Sequence, residues 1–200
     1  MGSMLQRSIK APVTRVITPL CRGLLKAGIT PNVMSAIGGL GSSVSAVLLF
    51  GTGHFFAAAI VTTLFVLFDL LDGTMARISN SSSRWGALLD STLDRVSDAA
   101  ILGSIAYWLS RSHDRLVPVV LAVLILGSLI SYIKARAEGL DIECNGGIAE
   151  RTERLIIVLV ASGLYGIGLS HVLAIGFWIL FALSLITVAQ RLGIVYKGSR

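Results

Sequence analysis

Long apolar runs, separated by short polar breaks carrying glycine or proline, dominate this chain. Six of them suit a bilayer crossing: residues 32–50, after the turn-forming Thr30-Pro31, then 54–78, 84–109, 115–136, 150–164 and 171–196. Most hold the ~20 apolar residues that a hydrocarbon core requires, and the fifth is the shortest. Backbone N–H and C=O groups find no water in that core, so the pattern predicts helices. The predicted fold class is all-α integral membrane, with six transmembrane helices. Residues 5–29 set Arg7, Lys10, Arg15, Arg22 and Lys26 among Val, Ile and Leu, which predicts a juxtamembrane amphipathic helix lying in the interface. Residues 30–200 then form one helical domain, and Met1-Gly2-Ser3-Met4 reads as an expression-tag remnant. The start of the chain lacks the compact apolar core and small-residue cleavage site of a signal peptide.

Composition supports a lipid environment: 54% of the 200 residues are hydrophobic and 14% charged, against about 25% charged in soluble domains. The net charge of +6 does not indicate nucleic acid, because Lys and Arg sit at the ends of apolar segments and not on an aromatic-interleaved face. With the N-terminus inside, 15 of the 17 Lys and Arg face the cytoplasm and only Arg111 and Arg115 lie outside. Both termini are therefore expected at the cytoplasmic face of the membrane. Cys21 and Cys144 make neither a disulfide framework nor a metal-ligand pattern, and are expected as reduced thiols.

Five of the eleven acidic residues (Asp69, Asp72, Asp90, Asp94 and Asp98) fall inside the second and third predicted spans. An aspartate at a helix centre costs roughly 2.5–3.5 kcal/mol on insertion scales, so several together call for compensation. Asp69, Asp72, Gly73 and Ala76 share one face of the second span, and Gly86, Asp90 and Asp94 recur every four residues on the third. The short connection makes the two helices antiparallel neighbours. Counted outward from Ser81, Asp69 matches Asp94 in depth, and Asp72 matches Asp90. Four carboxylates at one depth repel each other unless positive charge lies between them. Hard divalent cations prefer such oxygen sites, and paired metals ~4 Å apart recur in phosphoryl chemistry. The competing readings are a structural ion-pair network with Arg77, Arg84 and Arg95, an intramembrane-carboxylate ion transporter, and a non-catalytic lipid-binding scaffold.

The stretch Asp69-Leu-Leu-Asp72-Gly73-Thr-Met-Ala76-Arg77, eight residues, then Gly86-Ala-Leu-Leu-Asp90-Ser-Thr-Leu-Asp94 resembles the signature of the CDP-alcohol phosphotransferases. Eight fixed positions over 26 residues match without a departure. The resemblance implies a membrane enzyme of phospholipid biosynthesis that transfers the phosphatidyl group of CDP-diacylglycerol to an alcohol and releases CMP. It implies that Asp69, Asp72, Asp90 and Asp94 hold two Mg2+ ions, with Mn2+ as a substitute, and that Asp94 is also the general base. Gly73, Ala76, Arg77 and Gly86 would line the site for the CDP moiety. Asn32, Val33, Met34 and Ser35, at a helix start with free N–H groups, and Ser83 are further candidates for binding CDP-lipid. Asp98 lies outside the signature and is expected to be a structural partner.

A second polar set consists of Ser131, Lys134 and Arg136, then Arg151 and Arg154, then Arg191. Arg136 and Arg151 suit anchoring at the interface, whereas Lys134, Arg154 and Arg191 lie deeper, where snorkelling is harder. Converging cations suggest an acceptor carrying its own phosphate. Ser131-Tyr-Ile-Lys134-Ala-Arg136-Ala-Glu and Glu150-Arg151-Thr-Glu153-Arg154 are similar to the actinobacterial phosphatidylinositol-phosphate synthases. That similarity implies inositol 1-phosphate as acceptor, held by Lys134, Arg154 and Arg191 with help from Ser131, and phosphatidylinositol phosphate as product. Glycerol 3-phosphate, as in phosphatidylglycerol-phosphate synthases, is the alternative acceptor. The family also implies a homodimer. Gly38, Gly41 and Ser45 permit close helix packing, within or between chains.

Overall fold

A computed structural model describes residues 17–79, 81 and 83–200, with the side chains of residues 69 and 70 outside the description. Every regular element among the described residues is helical. Residues 17–26 form α1; residues 5–16 of the predicted amphipathic segment lie outside the described residues. There follow α2 (Pro31–Leu49), α3 (Phe55–Val66), α4 (Phe68–Ile78), α5 (Arg84–Ser110), α6 (Val117–Glu138), α7 (Arg151–Gly166) and α8 (Ser170–Gly198).

The local chemistry explains the main boundaries. Pro31 opens α2 at a position whose N–H would be unpaired in any case, and Thr30 Oγ1 accepts from the Val33 N–H at 3.4 Å. Ser83 caps α5 by accepting the Gly86 N–H at 2.9 Å. The predicted helix over 54–78 is divided in two at Leu67. The interruption is slight, since Leu67 keeps helical angles (φ −66°, ψ −22°) and its N–H still bonds Thr63 O at 3.0 Å.

Among the described residues, four stretches are long and apolar enough to cross a membrane: α2, α3 with α4, α6 and α8. The two other predicted spans differ for visible reasons: α5 carries Arg84, Asp90, Asp94, Arg95 and Asp98, and α7 is 16 residues long and opens with Arg151, Glu153 and Arg154. Large apolar side chains stand exposed on both, including Leu88 and Val96 on α5 and Ile156 and Val160 on α7. Exposed apolar rows of this extent suit hydrocarbon and not water. The chain is an all-helical integral membrane protein.

The chain forms two compact units. The first comprises the described part of Met1–Ser45 with Val61–Ser97. Its core packs Cys21 of α1, Met34 of α2, and Leu71 and Met75 of α4. Close approach of α2 to α3 uses two small residues. A Cβ on Gly41 would lie 2.2 Å from the Phe65 ring, and the Ser45 and Thr62 hydroxyls hydrogen-bond at 3.1 Å. Gly41 and Ser45 thus serve packing within the chain.

The second unit comprises Ala46–Ile60 and Asp98–Arg200. Ile130, Ile133 and Ala137 of α6 pack there with Cys144 and with Val188 of α8. Phe50, Phe55, Trp108 and Tyr165 form an edge-to-face cluster with ring centroids 4.8–5.9 Å apart. Both cysteines are free, and both are buried.

Candidate active site

In the first unit, the start of α2, the middle of α4 and the start of α5 surround a cavity of about 210 Å3. Asp72 and Asp90 line it from the two signature helices, together with Asn32, Ser35, Gly73, Ala76, Ser83 and Gly86. These residues meet because α4 and α5 are joined by a short turn, and the spacing of three or four keeps each set on one helix face. Asp72 is buried at 7% exposure. The Ser35 hydroxyl donates to Asp72 Oδ2 and also lies 3.2 Å from Pro31 O, so it ties the carboxylate to the opening turn of α2.

The two signature glycines act differently. A Cβ on Gly86 would lie 2.8 Å from Asn32 Oδ1 and 3.2 Å from Ser83 Oγ. Gly86 thus lets α5 approach the start of α2. Among the described residues, a Cβ on Gly73 would meet no atom within 4 Å, so that position faces open space in the cavity it lines.

Some expected members of this set lie elsewhere. Met34 is buried in the core with Cys21, Leu71 and Met75, and Val33 is 46% exposed. Arg77 folds back along its own helix, donating from Nε to Gly73 O at 2.9 Å. None of the three lines the cavity. Asp94 is partly buried and lies 3.9 Å from the neighbouring Arg95 guanidinium. The Asp69 side chain lies outside the described residues. Among the described residues, no three His, Cys, Asp or Glu side chains gather closely enough to hold a metal ion by themselves. The donor set that does surround the cavity consists of carboxylate, hydroxyl and amide groups, beside a glycine without a side chain. That chemistry fits a hard divalent cation bound to a phosphate ligand.

The second unit arranges the basic set. Arg154 is buried, packs across Gly127 of α6 and donates from Nη1 to Ala149 O at 3.0 Å. Its Nη2 lies 3.9 Å from Asp98 Oδ2, while Arg151 Nε lies 3.3 Å from Asp98 Oδ1. Asp98 is accordingly a partner of two arginines. Arg191, also buried, donates from Nε to Gly146 O at 2.8 Å and from Nη1 to Ile130 O at 2.7 Å. Residues 146–149 thereby touch both buried arginines. Ser131 donates to Gly127 O at 3.2 Å, one turn back along α6. Lys134 is half-exposed and lies 3.9 Å from Glu138. Among the described residues it makes no ion pair or hydrogen bond with Arg154 or Arg191.

Sequence reasoning did not single out the α8 residues that hold the 146–149 segment. Thr187 Oγ1 accepts from the Ala149 N–H at 3.0 Å, and Gln190 Oε1 accepts from the Ile148 N–H at 3.2 Å. The available signal was two polar residues close to Arg191 in a largely apolar helix, and a Gly146-Gly147 pair earlier in the chain.

Comparison with known proteins covers nearly the whole chain. Residues 28–190 match the family model described as CDP-alcohol phosphatidyltransferase. The phosphatidylinositol phosphate synthase of Mycobacterium tuberculosis is 44% identical over 195 residues, covering 94% of this chain and 89% of that one. The phosphatidylinositol phosphate synthase of Streptomyces avermitilis is 42% identical over 207 residues, covering 98% and 84%. The crystal structure of the M. tuberculosis protein with CDP-DAG bound superposes with a TM-score of 0.86, over 91% of this chain and 94% of that one, at 44% identity. Its complex with manganese and citrate gives 0.84, over 90% and 88%, also at 44% identity. The chain belongs to the CDP-alcohol phosphatidyltransferase family.

Proposed function

We propose that this chain is a phosphatidylinositol phosphate synthase, transferring the phosphatidyl group of CDP-diacylglycerol to inositol 1-phosphate with release of CMP. The observation that carries the reaction is the cavity where Asp72 and Asp90 meet beside Gly73, Ala76 and Gly86. Support for the acceptor comes from the 44% identity to a phosphatidylinositol phosphate synthase over 94% of the chain. Two buried arginines joined by one loop add to it.

Asp69, Asp72, Asp90 and Asp94 would hold two divalent cations, magnesium or manganese, which supply charge neutralisation for the diphosphate. The manganese complex of the M. tuberculosis relative supports a divalent ion. Ser35 holds the Asp72 carboxylate in place. Asn32, Ser35, Gly73, Ala76, Ser83 and Gly86 receive the CDP moiety. Asp94 takes the proton of the acceptor hydroxyl, whose oxygen forms a bond to the lipid-side phosphorus as the phosphorus–oxygen bond to CMP breaks. Arg154 and Arg191, with Lys134 and Ser131, hold the acceptor phosphate; a guanidinium keeps its charge when buried and presents several donors to the oxygens.

In the membrane, α5 and α7 complete a set of six spans, with both termini and the site at the cytoplasmic face. The 1–4, 5–29 and 30–200 division of the chain and a homodimer of this unit belong to the same reading. A competition assay tests the acceptor: labelled CDP-diacylglycerol is offered inositol 1-phosphate, inositol and glycerol 3-phosphate together. Phosphatidylinositol phosphate is the expected dominant product. A dominant phosphatidylglycerol phosphate would transfer the assignment to the other acceptor.

A further inference from the structure

Thr187 lies in the middle of α8 with 0% exposure, where a hydroxyl needs a reason to be. Its single O–H donates to Leu183 O at 2.8 Å, one turn back along the helix. That bond fixes the rotor, so a lone pair faces outward, and it receives the Ala149 N–H at 3.0 Å. The carbonyl of the same residue, Ala149, accepts Arg154 Nη1 at 3.0 Å. Ala149 is itself fully buried. A continuous run of hydrogen bonds, the last two of them buried, therefore leads from the α8 backbone, through one hydroxyl and one alanine, to the guanidinium of Arg154.

The other branch of Thr187 holds the same loop by shape. Gly147 has φ +132°, and a Cβ there would lie 2.5 Å from Thr187 Cγ2. Glycine is thus required at 147 both by backbone conformation and by the threonine methyl. On its other side Arg154 faces Asp98, at 3.9 Å. An arginine between a carboxylate and a carbonyl is aimed by both, and the carbonyl stays in place only while the Ala149 N–H has its partner.

We propose that Thr187 is a positioning residue for the acceptor: by fixing the backbone of Ala149 it aims the Arg154 guanidinium at the acceptor phosphate. The inference rests on the assignment of Arg154 to that phosphate. Removing the hydroxyl leaves a buried N–H unpaired, which is costly; the backbone at Ala149 then shifts toward another partner, and the adjoining Ala149 carbonyl, linked to that N–H through the same Cα, moves away from Arg154.

The test is steady-state kinetics of the full-length enzyme with CDP-diacylglycerol and inositol 1-phosphate, for the parent, Thr187→Val, Thr187→Ser, Arg154→Gln and the Thr187→Val/Arg154→Gln pair. Thr187→Val keeps shape and removes the hydroxyl. It is expected to raise KM for inositol 1-phosphate about tenfold, the lower end of what outer supporting partners contribute. kcat and KM for CDP-diacylglycerol should change less than about twofold, as an effect confined to the acceptor requires. Thr187→Ser should restore most of the acceptor KM. Because Thr187 acts through Arg154, the pair should be no worse than Arg154→Gln alone. Gly147→Ala, which presses on the Thr187 methyl from the loop side, should raise the same KM even if Thr187→Val does not fold. If Arg154→Gln raises the acceptor KM while Thr187→Val and Gly147→Ala leave it unchanged, or if the two losses multiply, the positioning role is overturned and the Arg154 assignment stands. An Arg154→Gln enzyme with unaltered acceptor KM overturns both.

Discussion

At the scale of single residues, Gly73 and Gly86 show that one residue type serves two purposes in one signature. Gly86 allows two helices to approach, whereas Gly73 faces open space among the described residues. Their replacements should therefore separate stability from catalysis. Gly73→Ala should fold with equal or higher thermal stability, since alanine is favoured over glycine in a helix by up to about 1 kcal/mol. It should release CMP at least about tenfold more slowly, because the methyl enters the cavity. Gly86→Ala should lower both the melting temperature and the rate, because its methyl meets Asn32 Oδ1. Thermal unfolding in detergent and a CMP-release assay check both, and a fully active Gly73→Ala enzyme would contradict the assignment of that space to substrate. The meeting of Asp72 and Asp90 with Gly73 and Gly86 was legible in the sequence, because carboxylates are too costly in a membrane to be incidental and their period matches a helix face. The partnership of Ser35 with Asp72 was not legible, since a serine after Pro31 reads equally as a helix-start residue or a ligand contact. The same ambiguity placed Val33 and Met34 beside it among the nucleotide contacts, although Met34 faces the core.

At the scale of elements, apolar run lengths located every helix from α2 to α8 within a few residues, because lipid admits few other backbone solutions. Two features escaped. The division at Leu67 has no proline or glycine to announce it. The service of Gly41 and Ser45 in packing α2 against α3 depends on which helix lies opposite, which periodicity does not encode. That packing makes a prediction: Gly41→Val drives a side chain into the Phe65 ring and should destabilise the enzyme by about 1–3 kcal/mol, the usual range for overpacking. Adding Phe65→Ala should recover part of the loss, as coupled neighbours do. Melting temperatures of the two variants measure it, and no recovery would mean that the two residues do not share the strain.

At the scale of the whole molecule, the acidic signature belongs to one compact unit and the buried arginines to the other, with α5 contributing to both. The acidic half was readable as a motif. The basic half was readable only as a list of cations, because its organisation depends on a loop at 146–149 held by side chains about 40 residues further along the chain. The central claim concerns the acidic half: CMP release depends on divalent cations held by the signature aspartates. The direct measurement is CMP release from CDP-diacylglycerol and inositol 1-phosphate after exhaustive chelation, with Mg2+ or Mn2+ then titrated back into the parent and Asp90→Asn enzymes. The account predicts no turnover in chelator, full recovery of the parent with either ion, and an Asp90→Asn enzyme that recovers weakly and only at much higher metal concentration. Undiminished turnover in chelator, or an Asp90→Asn enzyme with the parent's metal dependence, would contradict it.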